Sequence, residues 1–191
     1  MRLPVISPED MDERQQEIAA RIAGRRGAVR GPFRVWLNSP DLCERVEALG
    51  AFVRFDSSLP TRLSELALLM AARQFDAQYS WNAHVDKAVD AGIPRAAVEA
   101  LARKEHPDFD NPEDAAFHDF CAELLAEHFV SEATFRAAEK HFGARGLVEA
   151  VGCLGNFTML AMCLNAFEVD LQADREPPFP DVSGHGRVEA R

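Results

Sequence analysis

This 191-residue chain lacks the apolar–polar alternation that marks a half-buried strand, and it has no Asn-Gly or Asp-Gly pair to turn a hairpin. A sheet is therefore not expected. Also missing are a Gly-x-Ser-x-Gly elbow, a phosphate loop and a dinucleotide fingerprint, so no elbow serine or nucleotide cofactor is indicated. Basic residues are in deficit: 21 Lys and Arg against 31 Asp and Glu give a net charge of −10. Such a surface repels nucleic-acid phosphates and anionic lipid headgroups, which excludes a nucleic-acid role. The four cysteines, Cys43, Cys121, Cys153 and Cys163, fall at no paired spacing, and no basic segment followed by an apolar run opens the chain. Both features point to a reducing cytoplasm. No repeat appears at solenoid periods.

What is present is a set of helix starts. Ser7-Pro8-Glu9-Asp10 places a cap, a first-turn proline and two acids before an amphipathic run to about Gly24. Ser39-Pro40-Asp41 and Asn111-Pro112-Glu113-Asp114 repeat the pattern, Pro94 starts a short helix, and Ser131-Glu132 opens one that ends near Gly143. With 47% hydrophobic and 27% charged residues, the chain has the composition of one folded, all-α domain. Ala150 to Phe167 is a stretch of 18 residues without a formal charge, long enough to raise a membrane span. It carries Asn156, Asn165, Gly152 and Gly155 and has acidic flanks, so a buried core helix is the expected reading and no membrane partner is. The loop from Gly24 to Pro32, with Arg25, Arg26 and Arg30, is expected to be a solvated turn rather than an anion contact.

The chemistry concentrates in Gln78 to Val85, which reads Gln-Tyr-Ser-Trp-Asn-Ala-His-Val, and in the apolar helix before it. Glu65 lies at the start of that helix. It is either a first-turn acid that complements the helix dipole or a desolvated carboxylate available for proton transfer. His84 is either a satisfied core histidine or an acid/base group with an unperturbed pKa near 6.5. Asn82 and Gln78 are either groups that orient it or a ligand, or ordinary helix-start residues. His84 with Asp86, or His118 with Asp119 and Glu123, can be paired on spacing, but neither makes a closed metal-ligand set, so no metal is expected.

Glu65 to Arg73, then Gln78 to Val85, then Ala91-Gly92-Ile93 resemble the core of the carboxymuconolactone decarboxylase family and its alkylhydroperoxidase D relatives. The run from Leu147 to Val169 is similar to that family's closing helix. The resemblance implies an alkylhydroperoxidase D-like bundle of about seven to nine helices. It divides the chain into an N-terminal helical extension (1–31), the family domain (32–171) and a C-terminal tail (172–191). The peroxidase branch needs a Cys-x-x-Cys pair, and its two positions are Ala77 and Ser80 here. Neither residue can pass through a sulfenic acid and a disulfide, so the thiol-free branch is implied.

That branch implies a cofactor-independent decarboxylase, a lyase of aromatic catabolism acting on a small carboxylated lactone. His84 would donate a proton or stabilise the enolate, and Glu65 would orient it or act as the acid. Trp81 and Tyr79 would form an apolar wall. Arg73, slightly more than two turns beyond Glu65, is the best anion-binding candidate. The resemblance also implies a homo-oligomer, a trimer or hexamer. A non-catalytic helical oligomer or ligand-binding protein stands as the alternative.

Overall fold

The computed structural model describes residues 1–180, and among them it is all-helical. A short 3-10 turn, Pro8–Asp10, precedes α1 (Glu13–Arg26). The helix begins later than Ser7 because Asp12 is the better cap. Its carboxylate accepts from the Gln15 amide while the Gln15 side chain accepts from the Asp12 amide, a reciprocal capping box. The remaining helices are α2 (Pro32–Trp36), α3 (Pro40–Ala51), α4 (Thr61–Gln74), α5 (Gln78–Asp90), α6 (Arg95–Ala102), α7 (Pro112–Glu127) and α8 (Glu132–Ala166). A single π turn, Phe52–Asp56, extends α3. The axis of α8 breaks at Gly143, whose φ of 61° suits a residue without a Cβ, so the helix expected to end there is continued by a second segment.

Helix α4 is the centre of the bundle and packs against α5, α6, α7 and α8. From Leu63 through Ala72 every residue of α4 is buried, which explains why this stretch has almost no polar face. Because α4 starts at Thr61, Glu65 lies beyond the first turn, and the dipole role expected of a first-turn acid falls away. Helix α8 is long and apolar enough to cross a membrane, yet 56% of its most apolar 18-residue window is buried within the protein. Leu147, Ala150, Leu154 and Phe157 enter the core built on α4, while Val148, Val151 and Met162 remain exposed.

A second, smaller cluster joins the N-terminal segment to the rest: Ile18 and Ile22 of α1 pack with Val35, Trp36, Cys43, Val46 and Cys163. The described part of the tail packs against α5. Phe179 is buried against Trp81, with ring centroids 5.7 Å apart at 79°, and Arg175 reaches Asp86 at 3.1 Å. The remainder of the tail, including His185, lies outside the described residues.

Candidate functional site

Helices α4 and α5 form an antiparallel hairpin whose connection, Phe75 to Ala77, is three residues long. Asp76 in this turn takes a left-handed backbone (φ 51°), and its carboxylate is bound by Arg73 and Lys104. The tight return brings two residues 19 positions apart into contact: His84 Nδ1 lies 2.6 Å from Glu65 Oε2. Arg54 from the π turn reaches the other carboxylate oxygen at 3.4 Å. The Glu65 side chain is 5% exposed and that of His84 13%.

The pair has a definite charge state at neutral pH. Burial pushes the Glu65 carboxyl up, but the hydrogen bond from His84 and the charges of Arg54 and Lys87 outweigh it and hold the group below its ordinary pKa. Glu65 is therefore ionised. Burial lowers the pKa of His84; Glu65 pulls the other way, Lys87 and Arg54 add to the lowering, and the imidazole is neutral. In that state Nδ1–H donates to Glu65, which fixes the tautomer and leaves Nε2 as the free base. An ionised Glu65 cannot be the proton donor, so of the two roles expected for it only orientation fits.

His84 lines a cavity of about 550 Å³. Its walls are partly apolar, from Leu68, Phe157 and Leu160, and strongly basic, with the half-buried Arg26 and Arg54 and the exposed Arg25, Arg30, Lys87 and Arg175. Burial lowers the pKa of both Arg26 and Lys87, and the charge of Arg54 lowers each further. Crowded like charges of this kind are relieved by an anion. The loop expected to be a solvated turn thus supplies part of the wall. Gly27 (φ 81°) ends α1, and Gly31 (φ 55°) carries the chain beneath Tyr79. A Cβ on Gly31 would lie 2.7 Å from the Tyr79 ring, so only glycine fits there.

The other residues expected at the site divide. Tyr79 and Asn82 line the cavity, and Asn82 Nδ2 donates to the Glu176 carbonyl at 2.9 Å, which ties the C-terminal segment down beside it. Trp81 does not line it; at 4% exposure it belongs to the core against Phe179. Arg73 does not reach it either. Its guanidinium binds Asp76, donates from Nε to the Ala102 carbonyl at 2.7 Å and stacks 4.3 Å from the Phe179 ring centroid. Eight residues rotate a helix by about 80° beyond two full turns, so Arg73 and Glu65 do not share a face. Ser80, at a thiol position of the peroxidase pattern, is buried on the cavity wall, and Ala77 is buried beside it.

All four cysteines are free and buried. Burial pushes Cys43 up to about 11 and Cys153 and Cys163 up to about 12, and Cys121 higher still. None is a ready thiolate. Away from the cavity, His106 and His118 each approach Asp119 Oδ1 at 3.0 Å. The three ligand atoms lie within 4.8 Å of one another, a trio that spacing along the sequence did not reveal because His106 comes from the α6–α7 loop.

No protein-family model matches the chain, and no curated protein matches it. Solved structures do. An uncharacterised peroxidase-related protein from Ralstonia eutropha JMP134, described as an alkylhydroperoxidase AhpD core, is similar over 90% of this chain and 92% of its own at 18% identity, with a TM-score of 0.75. A second uncharacterised peroxidase-related protein, from Silicibacter sp. TM1040, is similar over 98% and 94% at 16% identity and a TM-score of 0.71. The debrominase Bmp8, in complex with 2,3,4-tribromopyrrole, is similar over 91% and 94% at 16% identity and a TM-score of 0.70. The fold is that of the alkylhydroperoxidase D-like proteins.

Proposed function

We propose that this chain is a cofactor-independent acid/base enzyme of the lyase type, decarboxylating a small anionic substrate such as a carboxylated lactone or related aromatic-breakdown acid. The observation that carries the reading is the oriented Glu65–His84 pair on the wall of a cavity edged by arginines. A debrominase among the proteins of this fold supports an enzyme rather than a scaffold.

The chemistry follows from the charges. A carboxylate that remains in the product is held by Arg26 and Arg54, whereas one that leaves must be poorly solvated and faces the apolar wall of Leu68 and Phe157. Its bonding electrons pass into the adjacent conjugated carbonyl, CO2 departs, and an enolate remains. The bound anion raises the proton affinity of His84, so the imidazole takes a proton from solvent and Nε2 returns it to the enolate carbon. Glu65 holds the ring in place and stabilises the imidazolium. Tyr79 and Asn82 complete the wall. Raised thiol pKa values argue against peroxide reduction.

The protein acts in the cytoplasm as a homo-oligomer, a trimer or hexamer. Leu49, Phe52 and Phe55 on α3 and the π turn, with Val148 and Val151 on the adjoining α8, expose the apolar area such an assembly covers. The test is CO2 release from a panel of carboxylated lactones and 3-oxo acids, with His84→Gln as control. Turnover that falls by about 10²–10⁴ in the variant is expected. Unchanged turnover removes His84 from the mechanism, and binding without product across the panel replaces the enzyme by a ligand-binding protein.

A further inference from the structure

The uncharged stretch of α8 contains one buried polar side chain whose hydrogen-bonding needs the fold leaves unmet. Asn156 is 2% exposed and lines the cavity, and neither its Oδ1 nor its Nδ2 has a hydrogen-bond partner among the described residues. Buried amides are normally satisfied, because an unpaired donor or acceptor carries its full desolvation penalty. Nothing in helix packing calls for asparagine here; the neighbouring core positions Cys153, Leu154 and Phe157 are apolar.

Its surroundings indicate what it faces. Helix α3 passes with a glycine, Gly50, and the position a Cβ would take on it lies 3.5 Å from Arg26 Nη2 and 3.8 Å from both Asn156 amide atoms. The arginine and the amide therefore border one space. Arg26 Nε is also buried without a partner among the described residues, its Nη2 has Glu47 at 4.0 Å, and its guanidinium lies 4.8 Å from the Phe33 ring centroid. One guanidinium edge and both halves of an amide are thus available side by side.

We propose that Asn156 and Arg26 form the recognition subsite for a hydroxy or enol carboxylic acid, with the carboxylate on Arg26 and the hydroxyl across the Asn156 amide. A carboxylate alone offers only acceptors and would set an oxygen against Asn156 Oδ1. A hydroxyl offers a donor and an acceptor together and satisfies both amide atoms. This rests on the reading of the cavity as the substrate site and narrows the substrate to acids carrying, or enolising to, a hydroxyl. Asn156 is a specificity-determining residue and takes no proton.

The experiment is isothermal titration calorimetry of the full chain with mandelate, each enantiomer separately, and with phenylacetate, which differs only by the hydroxyl. Wild type is expected to bind one mandelate enantiomer about tenfold tighter than phenylacetate. Asn156→Leu brings the ratio to within about twofold without weakening phenylacetate, and Arg26→Gln weakens both probes about tenfold and keeps the ratio. Asn156→Met, uncharged and of similar length, also loses the preference and serves if the leucine variant does not fold. Equal binding of the two probes by wild type, a preference that survives Asn156→Leu, or no saturation by either up to about 20 mM overturns the subsite. His84→Gln separates this from the catalytic reading, because it removes turnover and leaves the binding ratio intact. A lost ratio with His84-dependent turnover sinks the subsite alone, and an intact ratio without turnover sinks the catalysis alone.

Discussion

Replacing Glu65 by glutamine removes one charge from the centre of the bundle and keeps the size of the side chain. The carboxylate it replaces lies 2.6 Å from His84 Nδ1 and 3.4 Å from Arg54 Nη2. A hydrogen bond to a charged group contributes about 1.5–3 kcal/mol, and a buried pair broken outright costs about 3–5 kcal/mol. Glutamine retains one acceptor for the imidazole N–H but leaves Arg54 and Lys87 without a counter-charge. A loss of about 2 kcal/mol is therefore expected. For a chain of 191 residues this lowers Tm by about 4–8 °C. The assay is thermal melting by circular dichroism at pH 7 for wild type, Glu65→Gln, His84→Gln and the double variant. The cycle isolates the interaction, expected at about 1–2 kcal/mol. A Tm within about 1 °C of wild type, together with coupling below about 0.5 kcal/mol, would refute the pairing as a source of stability and orientation.

Acid should destabilise the protein in two stages. His84 has a native pKa below 6.5, so as the pH falls through that value the unfolded chain takes up a proton that the native state refuses and stability drops. Glu65, also depressed, adds stability above the ordinary carboxyl range that is lost as the pH falls through its native pKa. His84→Gln should flatten the first stage in a pH series of melts, and an unchanged slope between about pH 6.5 and 5 would contradict the neutral imidazole. Phe179→Ala should cost about 3 kcal/mol, because the ring is 7% exposed between Trp81 and Arg73; a loss under about 1 kcal/mol in urea melts would show that the C-terminal segment is not docked. The four buried thiols should react with a disulfide reagent only as fast as the protein opens, and fast labelling of Cys153 in native buffer would contradict its raised pKa.

Much of the architecture is carried by local chemistry. Asn111 caps α7 by accepting from the Glu113 amide, and Ser131 caps α8 by accepting from Thr134, as the Asn-Pro-Glu-Asp and Ser-Glu patterns indicate. Periodicity and caps act over a few residues, so they are legible in one dimension. They mislead where a stronger cap sits nearby, as Asp12 does for Ser7. They also mislead where a charged residue is judged by its neighbours in sequence. Arg73 next to the motif is committed to Asp76 and Ala102, whereas Arg26, the last residue of α1, reaches the cavity.

The sequence by itself determined that the chain is helical, that α4 is buried along most of its length, and that Glu65 and His84 are its unusual polar residues in apolar surroundings. The tertiary structure alone decided that those two side chains meet. It also decided that Trp81 faces the core and that Arg26, Gly50 and Asn156, from three helices, border one space. The reason is physical: helix signals depend on residues three and four apart, whereas a cavity depends on which faces of distant helices pack together.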